Sequence, residues 1–347
     1  MEPDTDHMTT GRAFRDGIAR VGRAPLVLVG VYLATLVAAI PFALIVRGSI
    51  AEDLGSSLVA DEVASNVDLD WWLEFLDDAP GLASTLTPSI VGFAAVLDNL
   101  SSFLGNDPRP VALVLAIGFY LLVWTFLSGG VLDRLARNRA TRAGGFFSAC
   151  GGYFFRMVRL ALLASVAYYV LFFHLRRWLF DDAYPWLVRD VTIERRGALL
   201  YLLLLALFGL ALVVVNVVFD YARIRAVVED RRSMVGALGA GIRFVTRRSG
   251  RVALLYGAVA AVYLLVLIVY AVVAPGVGGA GSSMWLAFAV AQAYILARVG
   301  VKLLFTGAQT AFFQGELAHA EYAARPAAEW PDSPEAEAVM GPGPSVP

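Results

Sequence analysis

Two oppositely charged residues lie in or directly after apolar stretches of this sequence. Asp220 follows the apolar run 198–219, and Arg298 lies inside another run from about 284 to 305. A charged group in hydrocarbon costs about 2.5 to 3.5 kcal/mol on insertion scales, so a partner or a function is expected for each one. One hypothesis is that Asp220 and Arg298 form an ion pair between two helices. Arg223 is the alternative partner of Asp220, because it lies three residues later on the same helix face.

Further polar residues accompany this candidate pair. On a helix, residues four apart share a face, which brings Asn216 to Asp220 and Lys302 to Arg298. The hypothesis is a polar pocket that binds an anionic lipid headgroup or solute. Its members are Asn216, Gln292, Lys302 and Gln309. The alternative is that Arg298 and Lys302 extend along their own aliphatic stems to the membrane surface and bind nothing.

An acidic triplet, Asp68-Leu69-Asp70, offers a different chemistry. Membrane enzymes that transfer sugars from polyprenyl phosphates place acidic pairs in their first external loop, where carboxylates can hold Mg²⁺ or Mn²⁺ against a phosphate. The segment from 48 to 108 contains eleven acids and no base, so an Asp-x-Asp triplet arises there easily. A glycosyltransferase acting through Asp68 and Asp70 is therefore the alternative to a non-enzymatic protein.

Other catalytic signatures are absent from the sequence. It contains no G-x-S-x-G, no H-E-x-x-H and no phosphate-binding G-x-x-x-x-G-K-[ST]. Cys150 is the only cysteine, which excludes a disulfide or a cysteine-based metal site within the chain. The basic segments lack the interleaved aromatics of a nucleic-acid surface. We therefore predict no catalytic residue, cofactor, metal ligand or nucleic-acid partner.

Composition and hydropathy indicate the elements that position these residues. The 347 residues are 59% hydrophobic and 16% charged, with a mean hydropathy of +0.67, whereas a soluble domain has roughly 25% charged residues. About 20 apolar residues are needed to cross a bilayer as a helix. Such runs are found at 24–46, 110–132, 157–175, 198–219, 252–274 and 284–305. The fold predicted is an all-α, polytopic transmembrane bundle with about six spans.

Arginine and lysine indicate the direction of the spans, because basic loops are retained in the cytoplasm. With the N-terminus inside, 21 of the 28 basic residues fall on the cytoplasmic side or in the adjoining helix ends. We expect a bacterial cytoplasmic-membrane protein with both termini in the cytoplasm. The predicted parts are an amphipathic N-terminal segment (1–23), a first transmembrane helix (24–46), an acidic external loop with amphipathic helices at 71–76 and 89–104 (47–109), a five-helix membrane region (110–323) and a disordered tail (324–347).

Residues 125–172 and 215–262 share a layout. In each, an Asp leaves the membrane with an Arg one helical turn later, a small-residue amphipathic segment follows, and paired arginines precede the next span. These residues are Asp133 with Arg137, Asp220 with Arg223, Arg156 with Arg159, and Arg248 with Arg251. The layout is typical of a duplicated hairpin, which in transporters builds a site at the repeat interface. The alternative is that arginines bind lipid phosphates at any cytoplasmic leaflet.

Two short motifs carry a resemblance to known proteins. They are F-D-Y-A-R-I-R at 219–225 and A-L-G-A-G-I-R-F at 237–244, and a last helix with internal Arg298 follows them. Over about residues 110–320 the chain resembles uncharacterised bacterial six-helix membrane proteins, including the membrane domain fused to some glycerophosphodiester phosphodiesterases. The resemblance implies a fold and no activity, because no phosphodiesterase domain is present in this sequence. We expect a non-enzymatic carrier of a small solute or lipid, or an accessory subunit, whose partners are the bilayer and anionic headgroups.

Overall fold

A computed structural model describes residues 8–55, 57, 59–65, 68–79, 81–85, 101, 104–105, 111–273 and 282–319. Nearly all of these residues are helical and none of them is in a strand, which confirms the predicted all-α class. The helices are α1 (Thr10–Gly22), α2 (Pro25–Leu54), α3 (Val59–Ser65), α4 (Leu69–Asp78), α5 (Val111–Arg137), α6 (Ala143–Val188), α7 (Glu194–Val228), α8 (Met234–Arg247), α9 (Ser249–Val273) and α10 (Ser282–His319).

Six of these helices, α2, α5, α6, α7, α9 and α10, are long and apolar enough to cross a membrane. They overlap the six predicted runs, so the chain is a multi-pass membrane protein. Several helices are longer than the prediction. With 46 residues α6 is about 69 Å long, more than twice the thickness of the hydrocarbon core. It contains π-helical turns at Val170–Arg176 and Trp178–Ala183, where the backbone accommodates an extra residue per turn.

The two ends of the bundle differ in charge. We call one the arginine-rich end: it comprises α1, the turns 138–142 and 229–233, α8 and the last turns of α10. The other, the acidic end, comprises α3, α4 and the turn 189–193. Because α1 packs chiefly along α10, the first helix and the end of the last helix lie at the same end.

The best-packed part of the molecule lies at the arginine-rich end. Its buried side chains include Leu135, Tyr221, Phe244, Phe312 and Phe313. In the membrane-spanning windows at most 28% of the residues are buried inside the protein. Apolar side chains gain nothing by leaving lipid for protein, so the spans need little mutual burial, whereas helices that extend beyond the bilayer must exclude water.

The turns after α5 and α7 share a geometry. Asn138 has a φ of 49° and Asp230 a φ of 47°. Asn and Asp are the non-glycine residues that adopt this left-handed conformation most readily. The Asp that ends each of these spans pairs with the Arg one turn later: Arg137 donates to Asp133 over 2.8 Å and Arg223 to Asp220 over 3.4 Å.

The two hairpins differ in the helices after the turn. In the first, the amphipathic segment and the next span form the continuous helix α6. In the second, the backbone breaks at Arg248 and separates α8 from α9. The shared layout therefore covers the turns and their ion pairs but not the helices beyond them.

At the acidic end, α4 packs on the extension of α2 beyond its apolar run. The predicted amphipathic helix 71–76 lies within α4, and Trp71 and Phe75 pack against Ile50 and Leu54. The indole Nε1 of Trp71 donates to Asp53 over 2.9 Å. Most of the second predicted segment, 89–104, and the whole predicted tail, 324–347, lie outside the described residues.

Candidate functional site

A small polar cavity lies between α5, α7 and α10, next to the arginine-rich end. Its volume is about 30 Å³, room for roughly one or two water molecules. The residues that line it are Trp124, Ser128, Val131, Leu132, Asp220, Arg223, Ile224, Thr306 and Gln309. Two of the predicted site residues, Asp220 and Gln309, are thus brought to one cavity.

Asp220 is the acidic group of this cavity. Its carboxylate accepts a hydrogen bond from Arg223 Nη1 over 3.4 Å, and the charge of Lys302 and the dipole of Gln309 also act on it. No ion pair within 4.0 Å joins Asp220 to Arg298, both of which the structure describes, so the predicted pair is not formed and Arg223 takes its place. The reason is position along α10: Arg298 precedes Gln309, the residue beside the cavity, by about 16 Å of helix axis.

Lys302 is held by aromatic side chains of α5. Its Nζ lies 3.3 Å from the centre of the Trp124 ring and 5.4 Å from that of Tyr120, whose hydroxyl accepts a hydrogen bond over 3.3 Å. A cation on a ring face is stabilised by about 0.5 to 2 kcal/mol. Over the described ranges neither Lys302 nor the exposed Arg298 pairs with a carboxylate within 4.0 Å. Lys302 is therefore positioned by two aromatic side chains, and no described carboxylate pairs with it.

Gln309 carries a donor without a partner. The side chain is 4% exposed, and its Nε2 forms no hydrogen bond. The amide lies near Asp220 without reaching hydrogen-bond geometry. Leaving a buried donor unpaired costs about 1 to 3 kcal/mol, so an acceptor is expected in the cavity that this residue lines. The nearest acceptor is the Asp220 carboxylate, and a water oxygen or another anionic oxygen also satisfies that requirement.

The remaining predicted pocket residues lie elsewhere. Asn216 lies one turn before Asp220 on α7 and does not line the cavity; its Nδ2 donates to the Tyr256 hydroxyl over 2.6 Å. Gln292 accepts from the Tyr32 hydroxyl over 2.8 Å. Because Gln292 is about 25 Å along α10 from Gln309, it does not belong to the same site.

The contribution of α5 was missed in the sequence. Tyr120 and Trp124 are four residues apart and share a helix face, as Arg298 and Lys302 do on α10. That matching periodicity is a signal for a cation on aromatic rings. It does not identify the partner helix, since many aromatic pairs in the spans have the same spacing.

A second polar network holds helices together at the arginine-rich end. Glu316, 3% exposed, accepts hydrogen bonds from Arg248 and, over 2.5 Å, from Arg251 Nη1. Arg156 pairs with Asp230. Four arginines precede the predicted spans: Arg156, Arg159, Arg248 and Arg251. All but Arg159 are thus paired with carboxylates of the protein itself, rather than left for lipid phosphates alone.

Arg20 of α1 is part of the same end. Its Nη1 donates to Leu135 O over 3.0 Å and to Gln314 Oε1 over 2.6 Å, and its Nε donates to Asp16 over 2.8 Å. The predicted amphipathic segment is therefore a docked helix, tied by a buried arginine to α5 and α10.

Asp68 has a structural role in the described loop. It is the N-cap of α4, and its Oδ1 accepts from the backbone N–H groups of Asp70 and Trp71 over 3.0 and 3.1 Å. Capping is the common use of an Asp in this position. Across the part of the chain that the structure describes, His, Cys, Asp and Glu form no group of three that could hold a metal ion.

The groups around the cavity combine hydrogen-bond donors with one carboxylate. Arg223, Lys302 and Gln309 supply donors, and Asp220 is the single carboxylate among the lining residues that the structure describes. No family model, curated protein or solved structure matches this chain. The site geometry and the sequence motifs are therefore the basis for any functional proposal.

Proposed function

We propose that this chain is a non-enzymatic protein of a bacterial cytoplasmic membrane, with both termini in the cytoplasm, that binds the anionic headgroup of a lipid. The site is the Asp220 cluster, by which we mean Asp220, Arg223, Lys302 and Gln309. The observation that carries the proposal is the gathering of donors: the Arg223 guanidinium, the Lys302 amino group and the Gln309 amide all lie near one carboxylate, and Gln309 Nε2 forms no hydrogen bond with the described residues. An anionic oxygen at the mouth of the cavity balances the charge and accepts from Gln309.

The depth of the cluster suits a headgroup. Lys302 lies about 27 Å along α10 from Met284, where the apolar part of that helix begins, and the hydrocarbon core is about 30 Å thick. The cluster therefore lies near the boundary of the leaflet at the arginine-rich end. With that end in the cytoplasm, as the distribution of arginine favours, this leaflet holds the anionic lipids that attract basic segments.

The cavity itself is too small for a headgroup. A phosphate is larger than its volume of about 30 Å³ allows, so the phosphate lies at the opening, beside Lys302, while water fills the interior. Such a site serves a lipid carrier or an accessory subunit that senses lipid. The likeness to the membrane domain of some glycerophosphodiester phosphodiesterases supports the six-helix plan and adds no activity.

Lipid retention of the purified protein tests the proposal. We expect native mass spectrometry to show retained phosphatidylglycerol in preference to phosphatidylcholine. Lys302→Met removes one charge-assisted contact, worth about 1.5 to 3 kcal/mol, and should lower phosphatidylglycerol retention at least 10-fold.

Arg159→Met is the matched control, because Arg159 is an exposed base at the same end and not part of the cluster. It should change retention less than 2-fold. Equal retention of the two lipids by the unsubstituted protein, or equal losses in both variants, would remove the Asp220 cluster as a headgroup site.

A further inference from the structure

A groove of about 710 Å³ runs along the second half of α2, at the opposite end from the Asp220 cluster. Its lining includes Phe42, Ala43, Arg47, Ala51, Leu54 and Leu82. Among the described lining residues Arg47 alone is charged. Ligand sites have volumes of about 300 to 1,000 Å³, mostly apolar walls and a few placed polar groups. This groove has such a volume and such a lining, and it is open along much of its length.

The groove extends past the bilayer. α2 has 30 residues and is about 45 Å long, about 15 Å more than the hydrocarbon core. Counted from Pro25, about 20 residues cross that core, which places Phe42 and Ala43 in hydrocarbon and Arg47 at the level of the headgroups. Ala51 and Leu54 lie farther out, beyond the hydrocarbon of a flat bilayer; there α4 covers part of Leu54, and Ala51 is exposed.

Arg47 has no partner within the described part of the protein. It is exposed and forms no ion pair within 4.0 Å there, although the same helix carries Glu52 and Asp53 farther along. Asp53, close by on α2, is engaged by the indole of Trp71. A guanidinium at headgroup level therefore faces the groove, and no described carboxylate competes with a phosphate for it.

We propose that this groove binds one anionic phospholipid from the leaflet at the acidic end. Its phosphate lies on Arg47, one acyl chain lies along Phe42 and Ala43 in the hydrocarbon, and the other follows the groove past Ala51 toward Leu54, partly out of the bilayer. The charge at the rim and the apolar wall beyond it match the two parts of such a lipid. This site is independent of the proposed function, which concerns the opposite end of the bundle.

Photo-crosslinking distinguishes a groove lipid from the lipid that surrounds any membrane protein. The full chain, with benzoylphenylalanine in place of Ala51, is reconstituted in nanodiscs of phosphatidylglycerol and phosphatidylcholine and irradiated. The same group in place of Glu52, which is exposed at the same height but does not line the groove, is the control. We expect a phosphatidylglycerol adduct at position 51 at least 5-fold above that at 52.

Two pairs of variants test the parts of the site. Arg47→Gln should lower the phosphatidylglycerol adduct about 10-fold and leave phosphatidylcholine unchanged, whereas Arg189→Gln, an exposed base at the same end, should change neither. Ala43→Trp fills the groove and should abolish the adduct, and Ala39→Trp, on the same helix outside the groove, should not.

Equal crosslinking at positions 51 and 52 would overturn the proposal, since it indicates surrounding lipid only. A phosphatidylglycerol adduct that survives Arg47→Gln would remove the anionic specificity. A crosslink from position 51 to the chain itself, or to free fatty acid in place of phospholipid, would show a different occupant.

Discussion

α1 and α10 approach most closely at Gly17. A methyl group on this residue would lie 2.7 Å from the backbone N and Cα of Ala308, whereas ordinary contacts are 3.4–4 Å. Because α10 also packs on α2, α5, α7 and α9, it is the less free of the two helices to move. We therefore predict that Gly17→Ala displaces α1 from its site.

The magnitude is the difference of two opposing terms. Overpacking of a close contact costs about 1 to 3 kcal/mol. Alanine is favoured over glycine within a helix by about 0.5 to 1 kcal/mol, which offsets part of that cost. The net loss of about 0.5 to 2 kcal/mol corresponds to a roughly 2- to 30-fold larger population of undocked α1. Full undocking also breaks the bonds of Arg20 to Leu135 and Gln314.

Limited trypsin digestion measures the undocked population. Arg12 and Arg15 are exposed bases of α1, and cleavage after them requires the helix to leave its site and unwind. Gly17→Ala should raise the cleavage rate about 2- to 30-fold. A thiol-reactive dye that reports exposure of Cys150, fully buried and the only cysteine, separates global unfolding from this local change.

Gly11→Ala is the matched control, since it is the same substitution in the same helix with open space around the new methyl group. It should slow cleavage slightly, through the gain in helix propensity. If the two variants are cleaved at the same rate, or if Gly17→Ala is the slower, the close approach of α1 to α10 is not present in the membrane.

Two further predictions concern the arginine-rich end and its direction. Glu316→Gln leaves Arg248 and Arg251 without their carboxylate. Because Arg251 is 42% exposed, we expect the free energy of unfolding to fall by about 2 to 4 kcal/mol, less than for a fully buried pair. The unfolding temperature should fall accordingly, whereas the control Glu194→Gln should leave it unchanged. In a Cys150→Ala background, a membrane-impermeant maleimide on intact cells should label Asp77→Cys and leave Gly11→Cys unlabelled until the membrane is opened; the reverse result would invert the proposed orientation.

The spans were predictable because a single physical quantity determines them. The transfer free energy of about 20 consecutive residues identifies a crossing helix without reference to any other part of the chain. The same sum does not locate the ends of α6 or α10, which continue past the hydrocarbon into water. There, helix length depends on packing against other elements, as between Phe312 and Phe244.

The site was only partly predictable, because contacts between helices depend on their relative positions along the bilayer normal. Asp220 with Arg223 is a local pair and is expected from a spacing of three residues. The contact of Lys302 with Trp124 joins residues far apart in sequence, and periodicity gives the face of each helix but not its height. A shift of about 16 Å along α10 separates the predicted partner, Arg298, from the observed neighbour of Asp220, Gln309.

The difference between the predictable spans and the less predictable contacts reflects the two environments of the chain, lipid and water. Inside the bilayer, lipid covers an apolar helix as well as another helix does, so association there has little specificity. At the arginine-rich end water is the competitor, and burial of Phe312, docking of α1 and the Glu316 ion pairs select one arrangement. The Asp220 cluster lies where these regions meet. Its helices are fixed by packing at the water-exposed end, and we propose that its opening faces the leaflet, as a headgroup site requires.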